Sequence, residues 1–187
     1  STRSMTTLDL ETMGELACIV EELHGKSSEL TGVIFFSHKD NCFLAGADIT
    51  LIASLSTEAE AADKSEQGQN IFNRIEDLSI PTIACVDGVC LGGGLELSLS
   101  CKTILASHSP KTSLGLPEVK LGIIPGFGGT YRLPKKIGLP NALDMILTGK
   151  TLRADKAKRM GLVAEVYPKE NLLAMAPKFF NRKEDHH

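Results

Sequence analysis

The chain lacks an excess of positive charge. Its 20 lysines and arginines face 23 aspartates and glutamates, for a formal net charge of −3, so no general basic field invites nucleic acid. No apolar run approaches the length of a membrane span. The first residues, STRSMTTLDLETMGEL, contain no apolar stretch of the signal-peptide kind. Cysteine is sparse: Cys18, Cys42, Cys85, Cys90 and Cys101 are odd in number and form no C-x-x-C pair. They read as small buried hydrophobes in a reducing compartment, and no zinc site is indicated. The five histidines are dispersed, and His186 and His187 match a tag remnant. Familiar motifs fail as well. TGKT ends like a phosphate-binding loop, but the required first glycine falls on Asp144, and GKS at Gly25 fails the same way at Val20. Neither GGGLEL nor GFGGTY completes G-x-G-x-x-G, and G-x-S-x-G and H-E-x-x-H are absent.

What is present is ordinary for a globular domain with a real core: 187 residues, 42% hydrophobic and 23% charged. Helical spacing of Leu8, Met13, Leu16, Val20 and Leu23 predicts a helix over Thr7 to Leu23. TGVIFFS, Thr31 to Ser37, reads as a strand buried on both faces, and NCFLAGADI after it as a turn or loop. Thr57 and Glu60 form a capping-box pattern that opens a long polar helix to about Leu78. IPTIACVDG and KTILAS read as further strands. Residues 115–138, rich in glycine and proline, read as loop with a short helix. NALDMILTG and RADKAKRMG read as short helices closed by Gly149 and Gly161. LVAEVYP is a last strand, and KENLLAMAPKFF a last helix interrupted by Pro177. Strands alternating with helices indicate an α/β domain occupying residues 1–187, with 182–187 as a disordered tail or tag remnant.

Three small-residue stretches could carry chemistry. In GVCLGGGLELSLSC, Gly88 to Cys101, three glycines precede Glu96. Glycines let a ligand approach backbone N–H groups, and a helix starting after them would form an anion site. Leu95, Leu97 and Leu99 alternate with polar residues, however, so the residues leave strand and helix both open. A plain turn with Glu96 facing solvent competes with a functional reading. Glu118 lies just ahead of PGFGG, where a rigid loop could hold an acid or base. FLAGADI leaves backbone amides unshielded and suits an oxyanion donor or a nucleotide contact, with a small-residue turn after a strand as the plain alternative.

Taken in order, FLAGADI, GVCLGGGLEL and LPEVKLGIIPGFGGTYRLPKKIG resemble the crotonase family, the enoyl-CoA hydratase/isomerase superfamily. ALDMILTGKTLRADKAKRMGLVAEVYP continues the resemblance, which runs from about Met5 to Pro168. The wording SCKTILASHSPKTSLGLPEV resembles the hydratase domain of the multifunctional fatty-acid β-oxidation alpha subunit. In it Glu118 stands 22 residues after Glu96, two more than in single-function hydratases, the extra residues falling around Ser109 to Thr112.

The resemblance implies a crotonase-like ββα spiral, truncated at both ends, in which strands before TRSMTTLDLET and helices after about Phe180 are wanting. It also implies a 2-enoyl-CoA hydratase of fatty-acid β-oxidation. By motif position, the Ala47 and Gly93 N–H groups form the oxyanion hole for the thioester. Glu96 is the base toward water, Glu118 the acid delivering a proton to Cα, and the Gly126 N–H positions the water. Ala45, Asp48 and Ile49 lie along the CoA. A side chain at Gly93 would stand where the thioester lies. The same glutamates could serve a 3-enoyl to 2-enoyl isomerase, and a non-catalytic acyl-CoA-binding or assembly module is the other alternative. No cofactor is implied beyond the CoA thioester substrate, and NAD only if a dehydrogenase domain follows. The implied partners are further copies in a trimer or a thiolase beta subunit, in bacterial cytoplasm or mitochondrial matrix.

Overall fold

Short apolar runs bounded by glycine or polar turns come in pairs, and each pair is followed by a helix. The computed structural model describes residues 7–46, 54 and 56–181. After helix α1 (Leu10–Gly25), strands β1 (Val33–Phe36) and β2 (Cys42–Leu44) precede helix α2 (Glu58–Glu76). Strands β3 (Thr82–Val86) and β4 (Val89–Leu91) precede α3 (Gly93–Ser100). Strands β5 (Thr103–Ser107) and β6 (Ser113–Gly115) lead through a 3₁₀ turn (Glu118–Leu121) to α4 (Gly129–Ile137) and α5 (Leu139–Thr148). Strand β7 (Thr151–Arg153), α6 (Ala154–Arg159), β8 (Glu165–Tyr167), α7 (Lys169–Met175) and a second 3₁₀ turn (Ala176–Phe179) finish the described chain.

The first strand of each pair joins one sheet, ordered β1-β3-β5-β8, and the second joins another, ordered β2-β4-β6-β7. All pairings are parallel except β6 with β7. Parallel neighbours need a crossover, and from β1 to β3 and from β3 to β5 it is a strand of the other sheet plus a helix. Three ββα turns therefore wind into a spiral, as expected. Strand β3 serves two cores. Ala84 and Val86 enter the large cluster with Leu95, Leu114 and Leu133, while Ile83 and Cys85 pack on Leu172, Ala176 and Phe179. That period-two division gives the continuous apolar run TIACV.

Several expectations are corrected. Strand β1 is only half-buried, with Phe36 44% exposed, because it borders its sheet. The stretch read as loop after it contains β2, and β4, β6 and β7 were not anticipated. Each is three residues long, too short for alternation to register. Helices α1 and α2 match the expected spans within a few residues at either end. Thr57 caps α2 by accepting from the Glu60 N–H at 3.1 Å, while the Glu60 carboxylate turns back to the Ser56 N–H at 2.9 Å. Gly149 is left-handed at the end of α5. The residues read as a tail, 182–187, lie outside the described residues.

Four of the five cysteines are buried. Burial pushes the thiols of Cys85 and Cys90 up to about 12, which keeps them inert. Among the described residues no helix is long and apolar enough to cross a membrane.

The close approach that positions the site is between β2 and the start of α3. A Cβ on Gly94 would stand 2.3 Å from the Leu44 carbonyl oxygen. Glycine to alanine inside a helix ordinarily gains up to about 1 kcal/mol. Here backbone must move to admit the methyl group, so Gly94→Ala should instead destabilise the fold by about 1–3 kcal/mol. The check is a lowered urea midpoint with an unchanged m-value.

Candidate functional site

The stretch left open between strand and helix is α3, and all eight of its residues are buried. A helix buried on every side has no polar face, so its sequence shows no helical period. Gly92 precedes it with φ +53, and no side chain caps it. The first N–H groups of α3, beginning with that of Gly93, are therefore not engaged by a cap. Gly93 has protein crowding it: an added Cβ would meet Leu8 Cδ1 at 2.9 Å and the Phe127 ring at 3.4 Å. Leu8 and Phe127 thus already crowd that side of Gly93. Leu8 is set over the site by its N–H, which donates to the Gly46 carbonyl at 2.9 Å.

Glu96 lies in the first turn of α3 and is 1% exposed. The solvent-facing turn is thereby excluded. Its Oε1 accepts two backbone hydrogen bonds, from Phe127 N–H and Gly129 N–H, both at 2.8 Å. The loop read as PGFGG is thus folded onto the carboxylate. A Cβ on Gly129 would fall 3.0 Å from Glu96 Oε1 and 3.1 Å from a Leu116 methyl, so only glycine brings that N–H so close. Both donors reach Oε1, which leaves Oε2 for a further ligand.

Glu118 opens the 3₁₀ turn behind Pro117 and is 9% exposed. Its Oε1 lies 2.9 Å from where a Cβ of Gly92 would be, so it points at the turn that starts α3. Its Oε2 is buried and has no hydrogen-bond partner among the described residues. Glu118 thus reaches, from a different element, the glycine turn that begins the helix carrying Glu96.

Burial is the main cause that pushes the Glu96 carboxyl up to about 7. The Glu118 charge pushes the same way, and the two N–H bonds and the Arg132 guanidinium oppose it. Burial also raises Glu118 above the ordinary carboxylate range. A carboxyl raised to about 7 can exchange a proton near neutrality, and Glu118 is shifted in the same direction.

The other sequence candidates are placed unevenly. Ala45 is half-buried just past β2, whereas Ala47, Asp48 and Ile49 lie outside the described residues. Gly126 is in the loop beside Glu96, and its carbonyl accepts from the Gln69 side chain at 2.8 Å. Sequence reasoning missed the Phe127 and Gly129 N–H groups. The double glycine of GFGG was the available signal, since it marks a backbone meant for close approach. It also missed Arg132, a buried cation one helical turn farther on. Among the described residues, no group of three or more histidine, cysteine or carboxylate side chains is arranged to hold a metal.

Comparison with known proteins places the fold. Residues 2–184 match the model of the enoyl-CoA hydratase/isomerase family. An enoyl-CoA hydratase of Geobacillus kaustophilus is 31% identical with a TM-score of 0.87, over 92% of this chain and 64% of its own. One from Bacillus anthracis is 36% identical with a TM-score of 0.85, over 92% and 66%. One from Thermoplasma volcanium is 32% identical with a TM-score of 0.83, over 95% and 69%. This chain thus spans about two thirds of the length of the structures it matches. With its two four-stranded sheets, its seven described helices and a family match over nearly its whole length, the chain belongs to the enoyl-CoA hydratase/isomerase family, the crotonases.

Proposed function

We propose that the protein is a 2-enoyl-CoA hydratase. The observation that carries the reading is the pair of buried carboxyl groups, Glu96 in the first turn of α3 and Glu118 pointing at the glycine turn that begins it. Hydration adds water across a double bond conjugated to a thioester. The oxygen of water bonds to Cβ, one of its protons leaves, and a proton reaches Cα. Between these events the thioester oxygen carries negative charge. The α3 N-terminus offers the Gly93 N–H to that oxygen, with Ala47 as the second donor. Such donors favour the transition state over the ground state, and losing one typically raises the barrier by roughly 2.7–4 kcal/mol.

The environments of the two carboxyls support a division of labour. Two N–H groups and a nearby guanidinium favour the charged form of Glu96, which suits a base that takes a proton from water. Burial raises the Glu118 carboxyl, which favours its protonated form and suits the donor to Cα. Gly126, in the same loop, is assigned to the water, and Ala45, Asp48 and Ile49 to the CoA. The atoms balance with water alone, so no cofactor takes part. Because the same pair can move a proton from Cα to Cγ, 3-enoyl to 2-enoyl isomerisation is the second activity to assay. We assign the reaction to fatty-acid β-oxidation, in a multifunctional alpha subunit, on the SCKTILASHSPKTSLGLPEV resemblance.

Three outcomes are expected. In the full-length protein, Glu96→Gln and Glu118→Gln should each lower kcat for crotonyl-CoA hydration roughly 10²–10⁴-fold, followed as loss of enoyl-thioester absorbance. Near-normal rates in both variants would rule out the two-carboxylate mechanism, while binding of the thioester without turnover by the wild type would favour a non-catalytic module. The pH–rate profile should fall on the acid side as Glu96 gains its proton near pH 7.

Stability should run the other way. The folded Glu96 binds its proton more tightly than the unfolded one, whose value is 4.5. Wild-type stability therefore falls as pH rises through the interval from about 4.5 to about 7, and the deficit is complete above it. At about 1.4 kcal/mol per pH unit the deficit is about 3 kcal/mol. Glu96→Gln keeps an oxygen for the two N–H donors and has no proton to lose. It should be more stable than wild type at pH 8, with a flatter profile below, as read by denaturant unfolding across pH.

A further inference from the structure

Arg132 is 4% exposed in α4, and arginine is seldom buried unless it is paired. Its Nε donates to Glu76 Oε2 at 2.8 Å and its Nη2 to Asn73 Oδ1 at 2.5 Å, both on α2. Those bonds would be explained by a strut between two helices. The third is not. Its Nη1 donates to the Phe127 carbonyl at 3.0 Å, and the Phe127 N–H is one of the two donors on Glu96. The loop is shaped around the guanidinium: Gly128 has φ +102, and a Cβ there would stand 2.2 Å from Nη1. The Phe127 ring is fixed as well. It sits edge-to-face on Phe72 with ring centroids 5.6 Å apart. It also occupies the notch left by Gly68 of α2, where a Cβ would be 2.3 Å from the ring.

We propose that Arg132 is a positioning residue for the acid–base pair: it ties the Phe127–Gly129 loop to α2, so that the N–H groups of Phe127 and Gly129 stay on Glu96, and it sets its buried charge opposite that carboxylate. The proposal rests on the reading of Glu96 as the base. The guanidinium is suited to it because its donors lie in one rigid plane and its charge persists at every working pH. A lysine could supply the charge but could not span three acceptors in fixed directions. The ionisable groups facing Glu96 are few. Arg132 comes from α4 and favours the carboxylate, and Glu118 comes from the 3₁₀ turn and disfavours it. Glu76 of α2 is neutralised by Arg132 itself. Removing Arg132 takes away the cation and uncovers Glu76, and both changes make Glu96 harder to ionise.

The test uses Arg132→Leu and Arg132→Lys in the full-length protein. For Arg132→Leu, kcat for crotonyl-CoA hydration should fall on the order of 10²-fold through misplacement of the base. KM should change little, because Arg132 makes no contact that binds substrate. The acid limb of the pH–rate profile should move up by on the order of one pH unit. For Arg132→Lys, the limb should stay near its wild-type position while kcat is reduced. A wild-type limb in Arg132→Leu, or wild-type kcat in Arg132→Lys, overturns the proposal, since a simple strut predicts lost stability and no shift. If circular dichroism shows Arg132→Leu unfolded, the Arg132→Lys result decides. If wild-type protein hydrates no enoyl thioester, the hydratase reading fails by itself. The proposal is then read from the Glu96 carboxyl, identified by its loss in Glu96→Gln and titrated by ¹³C NMR in wild type and Arg132→Leu. A higher midpoint in Arg132→Leu supports it, and equal midpoints reject it.

Discussion

The site depends on one pair of hydrogen bonds, those from the Phe127 and Gly129 N–H groups to Glu96 Oε1. A carboxylate placed among the leucines of a fully buried helix would otherwise be a large cost. Two amide donors offset part of it without cancelling it, which is why the group remains poised near neutrality rather than strongly acidic. They also tie a loop rich in glycine, which has much chain entropy to lose, to a helix that cannot move. The loop and the helix are ordered by the same contact that prepares the chemistry.

The rest of the architecture supplies the close packing that this contact needs. The spiral brings the end of β2 against α3, so that Leu44 lies on Gly94. It also brings the loop after β6 against the same helix, so that Gly129 lies on Glu96 and Glu118 on Gly92. In each case backbone or a carboxylate occupies the volume a side chain would need. The glycines are therefore determined by the approach of neighbouring elements, and Gly92 and Gly128 by positive φ as well.

Elements with a local signature were legible in the sequence, and most three-residue strands and the buried α3 were not. The apolar spacing of α1 and the cap of α2 could be read. Strands β3 and β5 appeared as continuous apolar runs. Strands β2, β4, β6 and β7 have three residues each and are specified by pairing across the spiral, which no local window contains. In α3 the alternation of Leu95, Leu97 and Leu99 imitates a strand because polar residues also face the interior. Ser98 there bonds to the Gly94 carbonyl at 2.9 Å, and Ser100 to the Leu97 carbonyl at 2.7 Å. For the site, residue types at motif positions pointed to Glu96 and Glu118. The groups that hold Glu96 are backbone amides and a distant arginine, and their identity is not written in side-chain chemistry near it.

The contrast between the two carboxyls has a physical consequence for turnover. Glu96 is fixed by bonds that do not depend on substrate, so its geometry is set before any ligand arrives. Glu118 comes from another element, and burial alone raises its carboxyl. The proposed hydration needs one carboxyl held still and one able to hold a proton. The contrast between two amide bonds on Glu96 and none to the buried Oε2 of Glu118 among the described residues is the physical basis for that proposal.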